Sequence, residues 1–461
     1  MAETHVNFLG GSPLNRLSWL RSSSLFLNAL ISAPSTRWII FQNGQPLVSS
    51  TPHISQGTKS SRNLARLRTD RIHPLLGSKP YFGQARDGYQ PSEPNSRTLE
   101  AARLSTPNII FLGLHETSQL NSALPSSDFS GTDARAVVER IEGTPFFALD
   151  VSDVPEHSVS QALQLSTPDK VADSEKLEFV EPRAATATFN MFDAAVFAEA
   201  RSMLDWNARN LFCTACGAPT YSLWGGWKLG CSTLLPWSDN GGRKPCPSSK
   251  GLNNYSHPRT DPVVIMAIVD EANEKILLGR NKKFPGNFYS TLAGFMEPGE
   301  SFEDAVKREI WEEAGVRVWG VRYHSGQPWP YPANLMVGFY AFADPAQPIR
   351  VDLDNELQDA RWYTRTEVLA VLNHPQGSNI SRREYKKFDD DEMVKNAEGQ
   401  TALVQTKSTS SNAKLTSNLG SDAPPFRVPP VTAIAGVLIK DWANGRVPEL
   451  GMAGSTATPN L

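Results

Sequence analysis

Long apolar runs are missing from this chain. No stretch of about 18 apolar residues interrupts its 461 positions, which excludes an ordinary membrane-spanning helix. A dominant charge is missing too. With 45 Lys and Arg against 48 Asp and Glu, no broad polyanion-binding surface is implied. The opening, MAETHVNFLGGSPLNRLSWLR, lacks the apolar core and cleavage site of a secretory signal. A mitochondrial presequence is the alternative, given Arg16, Arg21 and several serines, but Glu3 and the fold-like pattern that follows count against it. Cysteine is scarce. The four present, Cys213, Cys216, Cys231 and Cys246, all fall within 34 residues, so they read as one local site. The length prior suggests about three structural units.

What is present is concentrated in Gly294 to Val316, GFMEPGESFEDAVKREIWEEAGV. Ser301 with Asp304 makes a capping-box start for a helix, and Gly315 is a natural stop. Between them Phe302, Ala305, Val306 and Ile310 recur at helical spacing and form the buried stripe. Glu309, Glu312 and Glu313 lie three and four apart, so their carboxylates share another face. Like charges that close repel unless a cation compensates them. Arg308 is one candidate. A hard divalent ion such as Mg2+ or Mn2+ is the better one, since carboxylate oxygens suit it and it bridges to phosphates. A solvated acidic face would explain the glutamates alone. It would not explain Gly294, Glu300, Arg308, Ile310, Gly315 and Val316 at their offsets, a match that chance supplies roughly once in a million chains or less.

Those positions together are the Nudix box, and the chain resembles hydrolases that cleave nucleoside diphosphates linked to another group. Further along, Gln327-Pro328-Trp329-Pro330-Tyr331-Pro332-Ala333-Asn334 alternates three prolines with aromatics. That composition predicts a stiff, extended backbone with Trp329 and Tyr331 offering flat faces to a purine or nicotinamide ring. Packing in a domain interface is the competing account of the same residues. With the box, this stretch resembles the SQPWPxPxS-type element of NADH pyrophosphatases, with Gly326 where a Ser is usual and Asn334 where a Ser is frequent.

Taken in order, Ser12-Pro13 predicts a helix start ahead of Leu14, Leu17 and Leu20. Trp38 to Phe41, Asn43-Gly44 and Leu47-Val48 predict a hairpin. Residues 49–105 are rich in Ser, Pro and Arg and read as loops, and strand-like runs return at Ile109 to Leu112 and Phe146 to Leu149. Nothing before residue 185 offers catalytic chemistry. GSPLNRLSWLR resembles the N-terminal domain of NADH pyrophosphatases, which is Nudix-like without the box. A helix over Phe192 to Asn210 leads into the cysteines, whose Cys213-x-x-Cys216 knuckle argues for tetrahedral structural zinc over two disulfides. Cys231 and Cys246 stand wider apart than in a regular ribbon, as if LPWSDNGGRK were inserted. A nucleic-acid-binding ribbon is disfavoured by thin local basic charge. Strands are expected at Val263 to Val269 and Leu335 to Phe342, and helices at Thr364 to Leu372 and Thr432 to Trp442.

The resemblance implies an α+β protein, an α/β/α sandwich Nudix fold with an N-terminal Nudix-like domain and a zinc ribbon. The expected division is 1–190, 191–256, 257–445 with a polar, disordered insertion at about 374–425, and a tail over 446–461. It further implies hydrolysis of NADH or NAD+ to AMP and nicotinamide mononucleotide, with decapping of NAD-capped RNA at the same site as the second reading and a nucleotide sensor as the third. By resemblance Glu309, Glu313, Glu356 and the Ala293 carbonyl ligate the divalent metal, and Glu312 or Glu356 takes a proton. Gln327 to Asn334, with His257 and Ala435, hold the dinucleotide. A homodimer is expected on the same ground. The ending Pro459-Asn460-Leu461 keeps only the leucine of a Ser-Lys-Leu address, but it matches peroxisomal relatives, so a cytosolic and peroxisomal location is expected.

Overall fold

The computed structural model describes residues 6–50, 62–87, 98–116, 134–164, 176–249 without 243 and 245, 257–379 without 283, 285 and 355, and 423–447. Most of the expected insertion at 374–425 and all of Pro459-Asn460-Leu461 lie outside the described residues. The chain divides into two compact units. One comprises Leu9–Thr260 with Pro328–Asn334, the other Asp261–Gln327 and Leu335–Leu461 with Met1–Phe8.

In the first unit the opening helix corrects the sequence reading. Ser12-Pro13 does not start a helix; α1 is Ser24–Ser32, capped by the Ser23 hydroxyl, which accepts from Phe26 N. Ser12 and Leu17 have φ of 33° and 43°, values that break an α-helix. Leu14, Leu17 and Leu20 are buried all the same. Their spacing marked burial, while the backbone there bonds in turns such as Leu20 N to Leu17 O.

The expected hairpin forms as β1 (Arg37–Gln42) and β2 (Gln45–Ser50), joined by Asn43 and Gly44 at positive φ, the geometry that matches strand twist. Residues 49–105 are not all loop, since β3 (Arg62–Leu64) pairs with β2 and α2 (Thr69–Ile72) follows. With β4 (Ile109–His115), β5 (Thr144–Asp150) and β6 (Lys176–Phe179) they build one sheet, ordered β3-β2-β1-β5-β4 with β6 on β2. Among the described pairings, β1 with β5 is parallel and the others are antiparallel. Short helices α3 (Ala134–Glu139) and α4 (Glu156–Gln164) lie between strands, and α5 (Pro182–Thr186) follows β6. The long α6 (Met191–Arg209), capped by Asn190, packs on β1, β4 and β5 and delivers the chain to the cysteines. There β7 (Thr220–Leu223) and β8 (Lys228–Cys231) form a small hairpin. Trp227 Nε1 donates to the Phe111 carbonyl at 2.7 Å, tying that hairpin to β4.

The second unit is built on a sheet of β9 (Asp261–Val269), β10 (Lys275–Asn281), β11 (Leu292–Phe295), β12 (Val318–Trp329), β13 (Asn334–Ala343) and β14 (Leu357–Thr364). The order is β12-β13-β9-β10-β14, with β11 also on β9. Side chains alternate along β9. Val264, Met266 and Ile268 share one core with Ala305, Val306 and Ile310 of α7 (Phe302–Ala314). Ile265, Ala267 and Val269 share the other with α8 (Arg365–Leu372) and α9 (Ile434–Ala443). This is the α/β/α sandwich. Thr364 and Glu367 form the expected capping box of α8. Helix α9 starts two residues later than expected, at Ile434, behind Pro429-Pro430.

Candidate active site and cysteine cluster

Helix α7 carries the acidic cluster for local reasons. Ser301 and Asp304 satisfy each other's backbone N–H groups in a capping box, and Gly315 ends the helix at φ 67°. Of the expected stripe Ala305, Val306 and Ile310 are buried, while Phe302, in the first turn, is 38% exposed, and Glu309 and Glu313 face β11. The approach is so close that a Cβ on Gly294 would lie 1.8 Å from the Glu309 carboxyl carbon. Only glycine leaves room for that carboxylate. Glu313 is 5% exposed, and its Oε1 accepts from Ala293 N at 3.3 Å.

Arg308 organises the rest. Its Nη1 reaches Glu309 at 2.8 Å and Glu312 at 3.0 Å. Its Nε and Nη2 hold Glu300 at 2.5 and 2.9 Å, and Nη2 also donates to the Phe295 carbonyl at 2.8 Å. The arginine holds the half-buried Glu300 carboxyl down at about 2. Burial works the other way on the two inner carboxylates. It pushes Glu309 up against the pull of Arg308, and it pushes Glu313 well above the usual range, helped by Glu309, Glu356 and Asp354. One guanidinium therefore leaves the cluster short of positive charge, and the all-oxygen donor set suits a hard divalent ion. Glu356 stands exposed just before β14 and lies near enough to act electrostatically on both carboxylates. The glutamates form no closed cage, as befits an ion that keeps waters and shares its coordination with phosphates.

The cysteines do converge. Their four Sγ atoms lie within 4.8 Å of one another. Cys213 to Cys246 is 3.6 Å and Cys216 to Cys231 is 3.4 Å. Both are too long for an S–S bond of about 2.05 Å and near the edge of about 3.8 Å that a tetrahedron with 2.3 Å metal–sulfur bonds would have. The wide interval between Cys231 and Cys246 is absorbed by loop, and both thiols come back buried.

The Gln327–Asn334 run meets the expectation of an extended backbone only in part. Gln327 to Trp329 are the extended end of β12, and Pro330 to Ala333 turn into β13, with Tyr331 N donating to Trp329 O at 2.8 Å and Asn334 Nδ2 to Tyr331 O at 3.3 Å. Proline stiffness serves a turn here as well as a rod. Gln327 is fully buried, and its amide is spent on backbone: Oε1 accepts from Ile434 N at 2.8 Å, and Nε2 donates to Phe8 O and Thr432 O at 2.8 and 2.9 Å. These bonds set the start of α9, on which Ala435 is buried. Pro328, Trp329, Pro330, Tyr331, Pro332, Ala333 and Asn334 group instead with the first unit. There Trp329 and Tyr331 meet edge to face at 5.2 Å. His257, exposed, sits 5.6 Å from the Trp224 ring, and burial together with Lys228 lowers its pKa. Sequence reasoning passed over Phe295. It is 57% exposed beside Gly294, and its signal was an apolar residue next to the glycine that Glu309 abuts.

Comparison with known proteins agrees with this layout. The NUDIX domain family matches residues 259–386, and the NADH pyrophosphatase-like rudimentary NUDIX domain matches residues 35–206. The NAD-capped RNA hydrolase of Schizosaccharomyces pombe is 35% identical over 370 residues, covering 79% of this chain and 85% of that protein. NAD-capped RNA hydrolase NUDT12 of Homo sapiens is 35% identical over 372 residues, covering 79% and 68%. NAD-capped RNA hydrolase NPY1 of Saccharomyces cerevisiae is 32% identical over 381 residues, covering 80% and 88%. The two domain matches, with relatives 32–35% identical over more than two thirds of their own length, show that this chain belongs to the Nudix hydrolase family, in the branch of the NADH pyrophosphatases and NAD-capped RNA hydrolases.

Proposed function

We propose that this protein hydrolyses the diphosphate bond of NADH and NAD+, giving AMP and nicotinamide mononucleotide, and that NAD-capped RNA is cleaved at the same site. The observation that carries the proposal is the Glu309 carboxylate seated on Gly294 with Glu313 buried behind it. A binding-only sensor would have no use for so costly a cluster of charge. A divalent ion, Mg2+ or Mn2+, held by Glu309, Glu313, Glu356 and the Ala293 carbonyl, would supply positive charge to the diphosphate oxygens and acidify water. The chain's own residues do the rest. Arg308 keeps Glu309 and Glu312 aimed, and Glu312 or Glu356 accepts the proton of the attacking water. Trp329 and Tyr331, with His257 and the α9 start near Ala435, hold the dinucleotide, while Gln327 acts by fixing the backbone ahead of α9. Turnover of NADH, NAD+, ADP-ribose and NAD-capped RNA measured side by side with each metal tests this. Product AMP from NADH is expected; activity confined to substrates without a nicotinamide would overturn it.

The ring contact predicts selectivity. Stacking on a base contributes about 1–3 kcal/mol, so Trp329→Ala should raise KM for NADH by about five- to 150-fold. A diphosphate diester lacking any base should be cleaved nearly as before. Equal losses on both would make the run purely structural.

The thiol cluster we assign to structural zinc. We also read the protein as a homodimer of cytosolic and peroxisomal location, with no helix among the described residues long and apolar enough to cross a membrane. Light scattering at micromolar concentration should return twice the chain mass of 50.6 kDa, and a single-chain mass would reject the dimer. A fluorescent protein bearing Gly451 to Leu461 should become punctate. Diffuse signal, unchanged by removing Leu461, would dispose of the peroxisomal part.

A further inference from the structure

The first unit has no box of its own, yet it holds Pro328–Asn334. Two arginines do the holding. Arg201, on α6, donates from Nη1 to the Pro330 carbonyl at 2.6 Å. Its guanidinium carbon lies 5.0 Å from the centre of the Tyr331 ring, and that of Arg183, on α5, lies 4.8 Å from the same ring. Pro330 is buried, so its carbonyl needs a donor, and a proline offers no N–H to build a ladder in its place. The Tyr331 hydroxyl bonds to Thr186, the last residue of α5, and burial raises its pKa to about 12. Both arginines stand on anchored elements: α6 is capped and largely buried, and α5 is capped by Glu181.

We propose that Arg201 and Arg183 are positioning residues for the substrate base, acting through Pro330 and Tyr331 on Trp329. The transmission is short. Tyr331 N closes a three-residue turn onto Trp329 O at 2.8 Å, and the two rings meet at 63°. With the Tyr331 ring held by two guanidinium groups and its hydroxyl by Thr186, the indole of Trp329 has an edge-to-face partner that is fixed in place. An arginine does this better than a lysine, because its flat guanidinium both covers a ring and donates in a fixed direction. The rudimentary unit thereby acquires a task, that of holding the substrate-facing turn. The inference rests on the reading that Trp329 stacks on a base of the dinucleotide.

Four proteins, Arg201→Ala, Arg201→Lys, Tyr331→Phe and Trp329→Ala, and the double variant Arg201→Ala/Trp329→Ala, test it with NADH and with a base-free diphosphate diester. Arg201→Ala should raise KM for NADH about tenfold with kcat nearly unchanged, and leave the diester within about twofold. Arg201→Lys should fall between it and the parent, since charge over the ring survives while the directed bond to Pro330 is lost. In the Trp329→Ala background, Arg201→Ala should add less than about twofold, because the side chain it positions is gone. A merely structural arginine would cost the same in both backgrounds and on both substrates, and that result would overturn the inference. If Arg201→Ala does not fold, Tyr331→Phe, which removes one hydroxyl, must still raise KM for NADH selectively. Were Trp329→Ala itself to show no selective effect, the stacking reading would fall. Were it selective while Arg201→Lys and Tyr331→Phe both left KM for NADH unmoved, the positioning inference alone would fall.

Discussion

Glu313→Gln and Glu309→Gln proteins should each lose at least about a hundredfold in kcat, close to 2.7 kcal/mol of barrier, while remaining folded. Gln keeps the shape of Glu and removes one negative charge. The charge is what a divalent ion and the growing charge on the leaving phosphate require, so the loss should appear in kcat and be similar for NADH and for simpler diphosphates. Stability should move the other way. Burial and three neighbouring carboxylates already push Glu313 toward its neutral form, so Gln at that position relieves repulsion that the folded protein bears. Thermal unfolding without added metal should show Glu313→Gln at least as stable as the parent. Activity of both variants near the parent's would remove the carboxylates from the mechanism.

A Cys213→Ser protein should lose its bound zinc and unfold its ribbon at a temperature well below the parent's. Structural zinc in small domains contributes about 10–16 kcal/mol of apparent binding free energy, much of it expressed as folding. Here Cys213, Cys231 and Cys246 are buried and Cys216 is exposed, and the apolar packing on the three buried thiols comes from the small cluster with Ala218 and Leu234. Elemental analysis of the parent should return one zinc per chain. Catalysis should survive in whatever protein stays folded, because a site of four cysteines leaves no open position. Absence of zinc, with two disulfides found by mass spectrometry, would refute the assignment.

Much of the site was legible from spacing because it lies on one helix. Ser301, Asp304, Ile310 and Gly315 announce α7, and 3.6-residue periodicity puts Glu309, Glu312 and Glu313 together without reference to the rest of the chain. The cysteine knuckle was legible because its two-residue spacing lies within one tight turn. Reading failed where local pattern and backbone part company. Leu14, Leu17 and Leu20 are spaced for a helix but are buried by an irregular segment with positive φ at Leu17. The three prolines of the Gln327–Asn334 run suggested a rod, and only Pro328 lies in extended strand; Pro330 and Pro332 make a turn.

The sequence by itself determined the chemistry of this protein: which carboxylates cluster, which thiols can share a metal, and which family the chain joins. Only the tertiary structure decided how those groups are held. It seats Glu309 on Gly294, spends the Gln327 amide on Phe8, Thr432 and Ile434, and sets Arg183 and Arg201 against Tyr331, 148 and 130 positions away along the chain. The division has a physical origin. Helix caps and i, i+4 faces are fixed by bonds within a few residues, so their spacing can be read. A partner for a buried amide, a carbonyl without a ladder or a ring face is chosen by packing after distant segments meet, and no local spacing records that choice.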